Sequence, residues 1–275
     1  MADNAAQDEY WNGQAGLTWV EAQDRLDAML APISRQVLER AAAQAGERVV
    51  DIGCGCGDTT LALAATGAAV WGIDLSAAML ARAKARAAGI AHVGFTRADA
   101  ATRAFTPDHE LLFSRFGVMF FEDPVAAFAN LRTALTADGR LCFVCWQAPR
   151  ENAWMAIAGR AVQPFLPEPE TPPDPRAPGP FAFADPAYVT GVLTDAGFVD
   201  VALEAITPVL HLADDLDAAM RFQGEVGPVA RALSELEGPQ REAALDAART
   251  ALAAHMTDAG LDLGAACWIV TARNG

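Results

Sequence analysis

The clearest chemical pattern lies in Val49-Val50-Asp51-Ile52-Gly53-Cys54-Gly55-Cys56-Gly57-Asp58-Thr59-Thr60. An apolar run there meets three alternating glycines and then Asp-Thr-Thr, which starts a helix. Glycine is needed where backbone must approach a ligand closely or turn with positive φ. A strand, a glycine turn and a helix in that order form a ligand cradle, and the spacing discriminates between ligands. The dinucleotide fingerprint needs Gly-x-Gly-x-x-Gly/Ala. Counted from Gly53 its last position is Asp58, and counted from Gly55 it is Thr60, so a nicotinamide oxidoreductase is disfavoured. Two carboxylates follow at strand ends: Asp74 after Val70-Trp71-Gly72-Ile73, and Asp99 within Arg97-Ala98-Asp99-Ala100. A carboxylate suits a pair of hydroxyls because it accepts from two donors at once. Nicotinamide sites use a similar acid, so Asp74 alone does not choose between cofactors.

Asp51-x-Gly53-x-Gly55-x-Gly57 resembles the first motif of the class I S-adenosylmethionine-dependent methyltransferases, and the downstream segments are similar to that family in order and spacing. The resemblance spans roughly residues 46–146 and continues more loosely through Cys267-Trp268-Ile269-Val270-Thr271-Ala272-Arg273. It implies that Asp51, Gly53, Cys54, Gly55, Gly57 and Thr59 surround the cofactor and that Asp74, with Leu75, takes both ribose hydroxyls. It further implies that Met79 lies against the adenine and that Asp99, with Ala100, accepts from the exocyclic amine. Ser114, Arg115 and Phe116 would line the methionine end. Tyr10 and Trp19 would belong to an N-terminal lid over the cofactor. The implied cofactor is S-adenosylmethionine. The implied activity is methyl transfer to a small organic acceptor at O, N or C by in-line displacement, releasing S-adenosylhomocysteine. A peptide or protein acceptor, or a binder without turnover, remains an alternative.

These residues must be positioned by the elements around them. Residues 21–45 have apolar positions at helical spacing, and Pro32 predicts two short helices there. Strands are predicted at 48–52, 69–73, 92–96, 110–114 and 140–146, with helices after the first glycine turn, over 77–88 and over 124–135. Such alternation predicts βαβ crossovers and a parallel sheet covered on both faces. The expected fold is α/β: a doubly wound, mostly parallel seven-stranded sheet with an N-terminal helical lid (1–45) ahead of a methyltransferase domain (46–275). Nine prolines across 164–186 predict an irregular loop. A helix is expected over 188–196, strand segments over 199–212, two helices over 214–255 and a last strand over 265–272.

Composition narrows the function classes. The 275 residues carry 20 Lys and Arg against 35 Asp and Glu, a net charge of −15. That balance argues against a nucleic-acid or anionic-membrane surface, since phosphate neutralisation needs clustered cations. A hydrophobic fraction of 52% suits a packed core. The first residues do not read as a signal peptide, and no run is long enough to span a membrane. An odd count of five cysteines reads as reduced thiols in the cytoplasm. Cys142 and Cys145 form a C-x-x-C inside a predicted strand with no second pair nearby, so no metal is expected.

Methyl transfer from a sulfonium needs alignment above all, and positioning can be worth roughly 7–11 kcal/mol. A general base is optional. Ligands sit outside the carboxyl ends of parallel strands, which removes His92 and His109 and leaves His211 as the candidate base or acceptor-binding group. Arg115 is the candidate for steering an acceptor anion, with pairing to Glu122 or Asp123 as its structural alternative. Aromatic residues at the exits of strands four and five (Phe116, Phe120, Phe121, Trp146, Phe181, Phe183) suggest an enclosed apolar pocket for a small acceptor. A helical insertion over 213–260 is expected to cover it.

Overall fold

The computed structural model describes residues 4–167 and 174–275. Its main sheet is built from β1 (Arg48–Ile52), β2 (Ala69–Asp74), β3 (Val93–Arg97), β4 (His109–Arg115), β5 (Leu135–Trp146), β6 (Phe198–Ile206) and β9 (Cys267–Asn274). The spatial order is β3-β2-β1-β4-β5-β9-β6, with β9 antiparallel to both neighbours. One face carries α3 (Gln23–Ala41), α4 (Asp58–Ala64) and α5 (Ala77–Arg86), and the other carries α6 (Pro124–Arg132) and α8 (Pro186–Asp195). The sheet is therefore doubly wound and mostly parallel.

Local chemistry explains most element boundaries. Asp123-Pro124 and Asp185-Pro186 start α6 and α8: each aspartate accepts from a backbone N–H of the first turn, and proline's missing N–H is harmless there. Ser76 caps α5 by accepting from Met79 N. Across 21–45 the structure departs from the sequence expectation, because α3 runs unbroken through Pro32. Its stripe of Leu26, Met29, Leu30, Ile33, Val37 and Ala41 is buried almost completely. That burial outweighs the roughly 3 kcal/mol that an internal proline costs.

The chain forms two compact units. The first comprises Met1–Trp146, Arg176–Ile206 and Cys267–Gly275, and the second Gln147–Pro175 and Thr207–Ala266. The first unit's core centres on Phe128, which meets Phe121, Phe143, Phe183 and Phe198 ring to ring. Phe121 and Phe183, candidates for a pocket lining, are thus core residues. Within the second unit, α7 (Ala153–Val162) packs against α10 (Pro228–Ser234) and α11 (Gly238–Ala253), while α9 (Leu216–Glu225) packs on α11 and on β7 (Val209–Ala213). β7 pairs with β8 (Leu261–Gly264) as a separate two-stranded ribbon. Three helices therefore stand where two were expected, and α7 and β8 were not anticipated. The proline-rich stretch ends in regular structure, since Pro186 opens α8, and residues 168–173 of it lie outside the described residues. Two short helices, α1 (Ala5–Asn12) and α2 (Gln14–Glu21), precede α3. No helix among the described residues is long and apolar enough to cross a membrane.

Candidate cofactor site

The glycine turn leaves β1 at the carboxyl edge of the sheet with Gly53, Gly55 and Gly57 at φ of +66, +53 and +85°. At Gly53 a Cβ would lie 2.6 Å from the Cα of Gly117, so only glycine lets this turn pass under the β4 exit. The N–H groups of Gly53 and Cys54 both donate to Ile73 O, which ties the turn to β2. Gly57 is the N-cap position of α4, which starts at Asp58. Asp58 lies in the first turn, with its carboxylate turned to Arg115.

Asp74 is buried at the end of β2. Its Oδ2 accepts from Gly55 N and its Oδ1 from Ser76 N, both at 2.8 Å. Each oxygen keeps a lone pair for a further donor. Burial raises the Asp74 pKa above the ordinary carboxylate value, and the backbone N–H groups of Ser76 and Gly55 oppose it. Asp51 is fully enclosed beneath the turn, where Oδ2 accepts from Thr59 Oγ1 (2.8 Å) and Thr60 Oγ1 (2.7 Å). Its Oδ1 has no hydrogen-bond partner. Burial lifts the Asp51 pKa to about 6, against the two threonine hydroxyls and Arg115, which lower it.

Other predicted residues divide into those at this edge and those spent elsewhere. Met79 is buried with its Sδ 3.6 Å from where a Gly55 Cβ would stand. Leu75 presents its carbonyl to Arg97 and Asn12. Asp99 closes the β3 exit, its Oδ1 accepting from Ala101 N and from Asn4 Nδ2, both at 2.9 Å. Ala100 is buried, with its carbonyl taken by Asn130. Ser114 Oγ donates to Ile52 O at 2.7 Å and accepts from Gly117 N, so its hydroxyl braces the two strand exits and is not presented to a ligand. Cys54 and Cys56 are buried, and burial pushes the Cys56 thiol to about 11. Neither is a nucleophile at neutral pH.

Phe116, the residue after β4, has φ +66, a strained conformation for an aromatic residue. The strain is matched by a parallel stack of its ring on Trp146, centroids 4.1 Å apart and planes 8° from coplanar. Two aromatic plates therefore stand together at the exits of β4 and β5.

Both candidate catalytic groups are engaged by carboxylates. Arg115 points to the helical face, not to a ligand. Its Nη1 donates to Asp58 Oδ2 (2.7 Å) and Ser34 Oγ (2.6 Å), and its Nη2 lies 3.8 Å from Asp27. Arg86 closes the network on Asp27 at 2.9 Å. These two arginines and two aspartates balance in charge and clamp α3 to the start of α4. The expected partners Glu122 and Asp123 are not used. His211 lies on the two-stranded ribbon of the second unit, with Nδ1 on Asp262 (2.8 Å) and Nε2 on Asp214 (3.1 Å). The hydrogen bond to Asp262 raises its pKa most, with Asp214 adding to it. Both ring nitrogens of His211 therefore face a carboxylate.

In the N-terminal segment Asn4 has no reading in the sequence, and Trp11 and Asn12 stand in the lid pattern Tyr10-Trp11-Asn12-Gly13 without assigned partners. Asn4 is buried, donating to Asp99 and accepting from Glu122 N (3.1 Å). Asn12 bridges Leu75 O and Ala77 N. Trp11 is the hub of an aromatic cluster, edge-on to Tyr10, Trp19 and Phe120. Tyr10 itself is half exposed. The asparagines could have been suspected as polar side chains on a segment otherwise poor in structure-forming signals, but not their partners. Cys142 and Cys145, three apart on β5, face opposite sides of the sheet and bond separately to Val37 O and Phe183 O. Among the described residues no group of three or more His, Cys, Asp or Glu is placed to hold a metal ion.

Comparison with known proteins matches residues 49–139 to a family described as "Methyltransferase domain". The aklanonic acid methyltransferase DauC of Streptomyces sp. (strain C5) is 30% identical over 161 residues, 56% of this chain and 69% of DauC. The chain belongs to the class I S-adenosylmethionine-dependent methyltransferases. A demethylmenaquinone methyltransferase of Clavibacter sepedonicus is 33% identical over 46% of this chain and 55% of that protein. In fold, the chain is similar to Haemonchus contortus phosphoethanolamine N-methyltransferase 2, solved in complex with S-adenosyl-L-methionine. The TM-score is 0.61 at 18% identity, over 99% of this chain and 60% of that one. The chain spans 60% of the length of the mycobacterial relatives it matches.

Proposed function

We propose that the protein transfers a methyl group from S-adenosylmethionine to a small, planar organic acceptor. The observation that carries the cofactor half is the buried Asp74 carboxylate, held by Gly55 and Ser76 N–H groups at the carboxyl edge with one lone pair free on each oxygen. That arrangement fits two vicinal ribose hydroxyls. The positive-φ turn from Gly53 to Gly57 fits a ligand laid against bare backbone, and the orphaned Oδ1 of Asp51 fits a donor such as the ammonium of the methionine end. Asp99 would take the exocyclic amine of adenine, with Met79 against the ring. Tyr10 and Trp19 belong to a cover formed by α1 and α2, which Asn4 and Asn12 pin to the exits of β3 and β2.

Bound there, S-adenosylmethionine supplies an electrophilic methyl carbon on a sulfonium. The chain's own part is binding, orientation and exclusion of water, the terms worth most in an in-line displacement. Phe116 and Trp146 form the aromatic wall against which a flat acceptor would lie. With His211 and Arg115 both engaged by carboxylates, no side chain is assigned as general base, and the acceptor's nucleophile must be available at the working pH. A small planar acceptor is also what the names of two relatives, one acting on aklanonic acid and one on demethylmenaquinone, suggest.

Incubation with methyl-labelled S-adenosylmethionine and a size-fractionated cell extract tests this. Label in the low-mass fraction supports the reading and yields a product to identify. Label in the macromolecular fraction refutes the small-molecule acceptor, and tight cofactor binding with no label anywhere refutes the transferase.

A further inference from the structure

The sheet face opposite α3–α5 has no helix over β1, β2 and β3, because the β3–β4 connection contains none. Arg103 and Phe105 of that connection help enclose a cavity of about 380 Å³. The cavity also takes in Arg48, Ala69 and His92, which lie at the amino ends of the strands, away from the edge that carries Asp74.

Trp71 supplies a flat surface in this cavity. A Cβ at Gly94 would lie 2.2 Å from the indole six-membered ring, so the ring rests directly on the bare backbone of β3. Its Nε1 donates to Thr96 Oγ1 at 2.9 Å, which fixes the ring in plane. The residue nevertheless remains 45% exposed, rare for tryptophan in a chain this apolar. Arg103 also lines this cavity. Its guanidinium stands 5.9 Å above the Phe105 ring, its Nε is shut from solvent without an acceptor, and no carboxylate among the described residues lies within 4.0 Å. Arg48 at the same cavity is instead paired with Asp108 at 2.6 Å.

We propose that this cavity is a second binding site, taking a small planar aromatic anion whose ring stacks on Trp71 and whose carboxylate meets Arg103. The volume is that of a small-molecule site. Stacking needs a rigid, half-covered ring, which the Gly94 contact and the Thr96 hydrogen bond provide. A carboxylate would supply a partner to a guanidinium that has no hydrogen bond among the described residues. The proposal is independent of the methyl-transfer reading, because it uses neither Asp74 nor the glycine turn.

The test follows the Trp71 indole N–H by NMR in the full chain, assigned through Trp71→Phe, while 2-naphthoate or its neutral analogue 2-naphthamide is added. The expected result is a saturable shift with naphthoate, about tenfold or more tighter than with the amide, the worth of one charge-assisted hydrogen bond. Arg103→Gln should erase that preference, and saturating S-adenosylhomocysteine should leave the shift in place. An indole signal that does not move overturns the proposal, as does equal binding of acid and amide or displacement by S-adenosylhomocysteine. A signal that moves only with protein concentration assigns the surface to a second copy of the chain and overturns it too.

Discussion

Replacing Asp74 by asparagine probes the cofactor site where the geometry is most explicit. The native carboxylate accepts from Gly55 N and Ser76 N, one on each oxygen. In Asp74→Asn one of those oxygens becomes an amino group, which turns a donor toward a donor. A buried N–H loses its acceptor, at a cost of about 1–3 kcal/mol. The ribose loses one charge-assisted bond outright and keeps only a neutral one, together worth about 2–4 kcal/mol, or roughly 30- to 1,000-fold in Kd. Part of the folding cost is offset, because burial already disfavours the charged form of Asp74. The fold should therefore survive while binding is lost. Calorimetric titration with S-adenosylhomocysteine, beside a thermal melt without ligand, separates the two. A folded variant that binds within about threefold of the parent would refute the ribose assignment.

Arg115→Met should destabilise by about 2–4 kcal/mol in urea unfolding, because it leaves Asp27 facing Asp58 with one arginine between them; the acceptor KM should not change. Gly53→Ala should cost about 3 kcal/mol or more, from left-handed backbone and a Cβ driven into Gly117; a loss under about 1 kcal/mol contradicts the turn. His211→Ala should leave turnover at saturating cofactor unchanged, and a large loss would restore His211 as a base. In the wild type, NMR titration should place the His211 midpoint above 6.5. A raised folded value means that the stabilisation by Asp262 and Asp214 is complete below the unfolded pKa and fades as pH rises through the folded one. With the imidazole half exposed, screening keeps that contribution small.

What the sequence determined by itself was whatever neighbours along the chain can encode. Alternating strand and helix patterns specified the parallel sheet, and three glycines on alternate positions specified the turn after β1. The sheet topology then carried Asp74 to the same edge as that turn, since parallel strands share a carboxyl end. Asp-Pro pairs start α6 and α8 by capping chemistry between residues two or three apart, although Pro186 reads in the sequence as part of the irregular loop. Tertiary structure decided the rest. Pro32 reads as a break, yet the burial of one apolar stripe carries α3 through it. Arg115 has acids nearby in sequence at Glu122 and Asp123, but its side chain leaves β4 on the helical face and meets Asp58 and Asp27 there. His211 reads in the sequence as a candidate base, but pairing of β7 with β8 sets Asp262 opposite it. Asn4 and Asn12 carry no signal of their partners, and they matter only because folding sets them against the exits of β3 and β2. Turns and periodicities are short-range and survive in a string of letters. The partner of a charge or an amide is set by which face a side chain leaves from, and that exists only once the sheet is assembled.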